Sequence, residues 1–418
     1  MNQKGNIAAR TASLFSTENR KWMDFFAVIA CVLAVYTVIW AFTGMWPWRP
    51  AVYNSYVLQA DAWLHGRLDL GQDYSYLEIA SYQGKYYISF PPFPSYVMLP
   101  LVALFGLKTP DGLVALACTV LGAVYALRLC HYYGKQGGSA LFWTLLVTVG
   151  SNLLMTNTNA WVWFIAQNMS FALCMMAVYY AAAGKGGRAL AFWACAVGCR
   201  PMQALYIPVL LYLLYLDLKK KNPQDTILQM IQKQWKWAVA PVVIAVSYMI
   251  LNYLRFGSII EFGHNYLPEF LEAKEGQFSL SYIGENFKTL FRLPTAGQDG
   301  KLVFDQFNGM NIFLVSPVFV SYAVYFVWSL FQKEKDRKLC IGILVLAVVH
   351  TVALLMHKTM GGSHFGHRYI NDTLPFIFLG LLASLPKRDL CEKLNYPLLF
   401  LGLSLNLVGV VCYYNHWL

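Results

Sequence analysis

Apolar residues along the chain come in stretches of about 20, the length that crosses a roughly 30 Å hydrocarbon core. These stretches predict spans at 23–46, 112–131, 139–156, 162–183, 188–199, 202–218, 237–255, 310–331, 339–357, 373–386 and 395–414. The count is about eleven, because 188–199 and 202–218 read either as a hairpin or as one helix kinked at Arg200-Pro201. The run 95–106 is assigned instead to a juxtamembrane or re-entrant helix on the outer side, since an extra span there would reverse every later segment. The predicted fold class is an all-α polytopic membrane protein. Residues 1–22 form a cytoplasmic tail and 23–418 a single transmembrane domain, with outer loops 47–111, 256–309 and 358–372.

The first outer loop has its own pattern. From Tyr53 to Gly66, apolar residues fall at 53, 56, 57, 60, 63 and 64, the spacing of an amphipathic helix. Gly66 is a natural stop. Asp61 and His65 are i, i+4 neighbours on the polar face of that helix. Asp69, Asp73 and Glu78 follow, then the strand-like run Gly84–Phe90 and the prolines 91, 92 and 94, which predict a short hairpin and a helix start. On the inner side, residues 219–236 read as a basic amphipathic helix on an anionic leaflet, or equally as a solvated linker.

Composition supports the membrane class. Hydrophobic residues make up 58% and charged residues 13%, against roughly 45–50% and 25% in soluble chains. Disorder, a secreted disulfide scaffold and nucleic-acid binding are excluded as the main description. The net charge of +11 is distributed by side: with the N-terminus cytoplasmic, inner segments hold 20 of the 32 basic residues but 8 of the 21 acidic ones. That expectation places the chain in the plasma (inner) membrane, with no cleavable signal and its chemistry on the outer face. All nine cysteines fall in spans or inner segments, so structural disulfides are not expected. Cys195 and Cys199 read as small packing residues.

Phosphate loops, dinucleotide fingerprints, zinc-protease motifs and serine-hydrolase elbows are absent, and so is an Asp-x-Asp pair for a nucleotide sugar. The polar density lies in Gly361–Asp372. An arginine at a bilayer edge is costly without an anionic partner, and Arg368 has two readings. It is a phosphate ligand, which guanidinium suits by bidentate geometry, or an interfacial residue bonded to local carbonyls. Arg200 is likewise a snorkelling cation or a second phosphate contact. Asp372 reads as a helix N-cap. His357, His364 and His367 fix no metal geometry by their spacing; a divalent metal is left open as a cofactor. Glu261 and His264 are candidates in a loop whose acids otherwise read as a solvated face.

Several segments recur in order: Ala60–Leu68, Tyr86–Pro94 leading to Leu104-Phe105-Gly106, Arg255–Ser258 with Glu261-Phe262-Gly263, and Gly366–Tyr369 with Leu374-Pro375. This pattern resembles the bacterial integral-membrane glycosyltransferases of the GT-C superfamily, relatives of protein mannosyltransferases and aminoarabinose transferases. The resemblance implies a GT-C-like bundle and transfer of a sugar from a polyprenyl-phosphate donor to a glycan, lipid or protein acceptor at the outer face. It also implies that an acid of the first outer loop serves as base, with Asp61 the nearest match. Many relatives carry an Asp-Glu pair where this chain has Pro50–Asn54, which leaves Asp69 and Asp73 as alternates. Arg368 and Arg200 would hold the donor phosphate, with Trp63, His65, Tyr86, Tyr87, Glu261, His264, His364, His367 and Tyr369 lining the substrate site. The rival reading is a secondary transporter or lipid-linked-sugar flippase. Such proteins usually show paired repeats and mid-span ionisable residues, whereas this sequence has no halves that align and few ionisable residues at mid-span.

Overall fold

The computed structural model describes residues 17–297, 302–333, 335–386 and 392–418. Most of the predicted tail, and Lys387, Arg388 and Cys391 of the inner segments, lie outside the described residues.

The chain opens with α1 (Thr17–Thr43) and the short α2 (Ser55–Leu64). Strands β1 (Ile79–Tyr82) and β2 (Lys85–Ile88) form an antiparallel hairpin, turned by Gln83 and Gly84, both at positive φ as a two-residue turn requires. Helices α3 (Phe93–Phe105), α4 (Asp111–Tyr132), α5 (Gly138–Thr148), α6 (Leu153–Thr156), α7 (Val162–Ala182) and α8 (Gly186–Val197) come next. A 3₁₀ turn, Pro201–Tyr206, leads into α9 (Ile207–Lys221), followed by α10 (Ile227–Gln234) and α11 (Val239–Phe256). The long loop after α11 holds α12 (Pro268–Leu271), α13 (Ile283–Thr289) and the two-residue strands β3 (Thr295–Ala296) and β4 (Leu302–Val303). The last helices are α14 (Ile312–Val315), α15 (Val318–Leu330), α16 (Arg337–Leu355), α17 (Leu374–Ser384) and α18 (Tyr396–Tyr414), with a 3₁₀ segment Arg368–Thr373 before α17.

Each of the eleven predicted spans contains a helix. Among the described residues, seven helical stretches are long and apolar enough to cross a membrane, and the others are shorter. Two predicted spans are interrupted. The 139–156 stretch breaks at Gly150–Asn152, where the Asn152 N–H turns to Ser316 Oγ at 3.0 Å. The 310–331 stretch breaks at Ser316-Pro317, as a proline deprives the preceding turn of a donor. The 95–106 run forms α3, packed on α2. The inner segment 219–236 begins in the last turn of α9, breaks after Lys221, and resumes as α10, which starts at a Thr226–Gln229 capping box.

The core is the interior of the bundle. Trp143, Tyr36, Phe164 and Phe376 are fully buried there, and Tyr206 stacks on Phe376 at 3.9 Å between centroids. Segments predicted to share the inner side meet at one end of the bundle. His131 bonds Asp24 at 2.9 Å, Ser139 bonds Glu392 at 2.8 Å, and Tyr212 bonds Asp336 at 3.1 Å. Opposite-side segments meet at the other end, through Ala51 N–H to Asp111 at 2.9 Å and Trp40 Nε1 to the Thr158 carbonyl at 2.9 Å.

Candidate active site

At that second end, the first loop, the start of α7, the 199–202 turn, the loop after α11 and the 357–369 segment enclose a cavity of about 660 Å³. That is within the usual ~300–1,000 Å³ of ligand sites. Its walls mix apolar groups (Val162, Ala166, Met202, Leu354) with a small set of ionisable ones.

Two arginines reach it by different local routes. Arg200 precedes Pro201, which excludes helical backbone at that position, and it is extended at φ −140°, ψ 103°. Its Nε and Nη2 both donate to Asp372 Oδ2 at 2.8 Å. Asp372 also accepts from Gln167 Nε2 at 3.3 Å. The aspartate is therefore a buried counter-ion inside the 3₁₀ turn, and the N-cap expectation is corrected: α17 begins at Leu374, and its N-cap is Thr373, which makes no side-chain cap.

Arg368 opens that same turn and is 5% exposed. Its Nε donates to the Gly361 carbonyl at 2.9 Å, and its guanidinium lies over Tyr369 at 4.7 Å and Phe164 at 5.8 Å. Among the described residues, no carboxylate pairs with it and its terminal nitrogens make no hydrogen bond within the protein. Burial holds its pKa below the ordinary guanidinium value. Tyr369 stands between the two arginines, with Arg200 5.1 Å from its centroid.

The loop before Arg368 is built to hold it. Gly361, at φ +115°, is pressed against Arg368 Nε, where a Cβ would come within 2.8 Å. Gly366, at φ +85°, lies so close to Asn152 that a Cβ would meet Nδ2 at 2.0 Å. His364 Nε2 accepts the Arg368 N–H at 3.2 Å while Nδ1 faces the Gly362 carbonyl at 3.0 Å, an arrangement only a neutral ring satisfies. His367 hangs from Asn152 Oδ1 through its backbone N–H at 2.9 Å. Burial depresses both imidazoles, His367 to about 4 and His364 well below its usual range. Both support the loop from behind; neither lines the cavity. His357, which does, has Nδ1 2.7 Å from the Thr359 carbonyl and 3.2 Å from the Thr359 N–H, and Nε2 3.1 Å from Gln277 Nε2. Among the described residues no three His, Cys, Asp or Glu side chains are grouped to hold a metal.

Of the sequence-predicted set, Arg200, Arg368, Glu261, His264 and Tyr369 meet at the cavity. Asp61, Trp63, His65, Tyr86 and Tyr87 do not. Helix α2 buries Tyr56, Val57 and Ala60, so its polar face turns away. Asp61 stands there 3.6 Å from His65, an ion-pair distance as the i, i+4 spacing predicts, but away from the cavity. Trp63 packs on Tyr96, and Tyr87 on Phe256. The alternates are outside as well: Asp69 receives the Gly71 N–H at 2.8 Å in a surface turn, and Asp73 is exposed.

The first-loop carboxylate that does line the cavity is Glu78, which the sequence reading passed over. It sits one residue before β1, and the Ser89 hydroxyl caps its carbonyl at 3.5 Å. Burial raises its pKa, opposed by a hydrogen bond from Trp163 and the charge of Arg368. Glu269 also lines the cavity, at its exposed mouth.

No protein-family model matches the chain, and no functionally curated protein does. Solved structures are similar in fold. ArnT from Cupriavidus metallidurans bound to undecaprenyl phosphate matches at 14% identity and TM-score 0.45, over 85% of this chain and 59% of that one. Its apo state matches at 15% and 0.47, over 85% and 58%. The apo oligosaccharyltransferase of Archaeoglobus fulgidus matches at 11% and 0.45, over 94% and 56%. The chain spans less than two thirds of the length of each.

Proposed function

We propose that the chain is a glycosyltransferase that moves a sugar from a polyprenyl-phosphate carrier to an acceptor, in this cavity, at the outer face of the plasma membrane. The observation that carries the reading is Arg368: a buried guanidinium with no carboxylate partner, its free nitrogens at a cavity that Glu78 also lines. A buried cation without an anion is unfavourable, and a phosphodiester supplies one charge and two oxygens in the geometry that guanidinium matches. The apolar wall at Ile260, Met202 and Leu354 suits the first units of an isoprenoid chain.

In the reaction, an acceptor hydroxyl attacks the anomeric carbon as the bond from that carbon to the phosphate oxygen breaks. The bonding pair leaves with the phosphate, where Arg368 stabilises the added charge. Glu78 takes the hydroxyl proton. Its raised pKa makes it a stronger base than an ordinary carboxylate, a role worth typically 10²–10⁴-fold. Arg200, neutralised by Asp372, holds Tyr369 in place and leaves Arg368 as the charge offered to the headgroup.

The test is turnover by purified protein supplied with polyprenyl-phosphate sugars, followed by release of polyprenyl phosphate. Sugar transfer that disappears in Glu78→Gln while the lipid still binds supports the reading. Movement of the intact lipid-linked sugar across a vesicle bilayer, without release, would replace it with the flippase reading.

A further inference from the structure

At the end of the bundle away from the cavity, the described residues leave an apolar helix face uncovered. Helix α9 runs from the turn after Arg200 to Lys221, past Tyr212 where it meets Asp336, and α10 follows there. Only Met230 of α10 is buried. Ile227, Leu228 and Ile231 share one face, Trp235 extends it by a turn, and each is 60–64% exposed. Gln229, Gln232 and Lys233 take the opposite face. Contacts on both sides fix the segment in place, unlike a solvated linker. The Asp225 carboxylate receives Lys233 Nζ at 2.7 Å, its carbonyl receives Lys219 Nζ at 3.2 Å, and Trp237 fills the space over Gly186 of α8.

The 3₁₀ turn Trp235–Ala238 joins α10 to α11. The uncovered stripe continues along α11 at Val239, Val242, Val243, Val246 and Ile250, the spacing of a single helix face. With 18 residues, α11 by itself is about 27 Å long, nearly the ~30 Å of a hydrocarbon core, so α10 falls where the headgroups begin. Lysines crowd the same place. Residues 217–236 hold five lysines against Asp217 and Asp225, and Lys185 is beside them because Gly184 abuts Asp217. Lys221 pairs with Asp217 and Lys233 with Asp225. Lys220 and Lys236 are exposed and, among the described residues, pair with no carboxylate.

We infer that α10 is an in-plane membrane helix that docks on an anionic phospholipid surface, a property separate from the glycosyltransferase reading. Its apolar stripe enters the acyl boundary while Lys220 and Lys236 meet headgroup phosphates. Such a helix binds through buried apolar area plus attraction to anionic lipid, and each free lysine near the surface strengthens binding about fivefold. Charge selects the occupant: a second copy would bring the same positive collar against this one, whereas an anionic leaflet brings the opposite sign.

The experiment follows amide hydrogen exchange over 226–236 in the full-length protein, held one copy per nanodisc in phosphatidylcholine alone or with about one third phosphatidylglycerol. Opening so short a helix requires lifting it off the surface, so in wild type phosphatidylglycerol should slow these amides roughly 25-fold, two lysines at about fivefold each, with α11 unchanged. Combining Lys220→Gln with Lys236→Gln should remove that lipid dependence. Ile231→Ser should speed exchange in both lipids. The side chains are exposed, so neither variant should shift the melting temperature in detergent. Equal exchange in the two lipids overturns the inference, as does a phosphatidylglycerol effect that survives loss of both lysines, or exchange that Ile231→Ser leaves unaltered. Protection that appears only in discs holding two copies would assign the face to self-association instead.

Discussion

Arg200 and Arg368 flank the same tyrosine ring and line the same cavity, yet the protein treats them in opposite ways. Arg200 is matched by Asp372, whose side chain is 2% exposed, and the pair locks the 199–202 turn to the segment before α17. Arg368 is held by a carbonyl and two aromatic faces and is left without a counter-ion. One charge is spent on architecture and the other is kept for a ligand. Residue type and burial do not distinguish a structural arginine from a binding one; the presence of a buried carboxylate does.

The largest effect should come from breaking the paired side. Arg200→Ala leaves Asp372 buried and uncompensated, which costs about 3–5 kcal/mol and should lower the melting temperature in detergent. If stability is kept and only lipid affinity falls, Arg200 belongs with Arg368 and the contrast is lost.

Glu78→Gln should reduce turnover by about 10²–10⁴-fold with the melting temperature and decaprenyl phosphate affinity unchanged. Because burial raises the Glu78 pKa and the base must be deprotonated, the rate should fall on acidification while the pH is still above the ordinary carboxylate range. An acidic limb near pH 4 would remove Glu78 from the role.

Arg368→Ala is the mirror of the first variant. It removes a buried cation that has no partner, so the ligand-free protein should lose little stability, while headgroup affinity falls by an amount worth about 2–5 kcal/mol. Titration with decaprenyl phosphate reads this directly, and a melting-temperature loss matching that of Arg200→Ala would refute the distinction. The smallest effect belongs to Asp61→Asn: stability within about 0.5 kcal/mol and unchanged turnover, since its carboxylate pairs with His65 outside the cavity. Loss of turnover there would return the base to α2.

The amphipathic spacing in Tyr53–Gly66 was enough to place α2 and to pair Asp61 with His65, since both follow from helical geometry within a few residues. The same spacing could not say what the polar face of α2 looks toward. That depends on α3 and α7 packing on its other face, contacts made with distant parts of the chain. Glu78 was illegible for a related reason: in sequence it is one acid among several in a polar loop. Only the docking of the hairpin on Phe256 and the 263–266 turn carries it to Trp163 and Arg368.

The helical membrane class, the positions of the apolar segments and the gathering of polar residues before α17 were determined by the amino-acid sequence alone. Hydrophobic length and helical period are local quantities that any stretch of about 20 residues expresses by itself. Which carboxylate faces which guanidinium was decided only by the tertiary structure. Pairing of buried charges joins residues more than 170 positions apart, as Arg200 and Asp372 are, and no short-range pattern records which cation such a pairing leaves free.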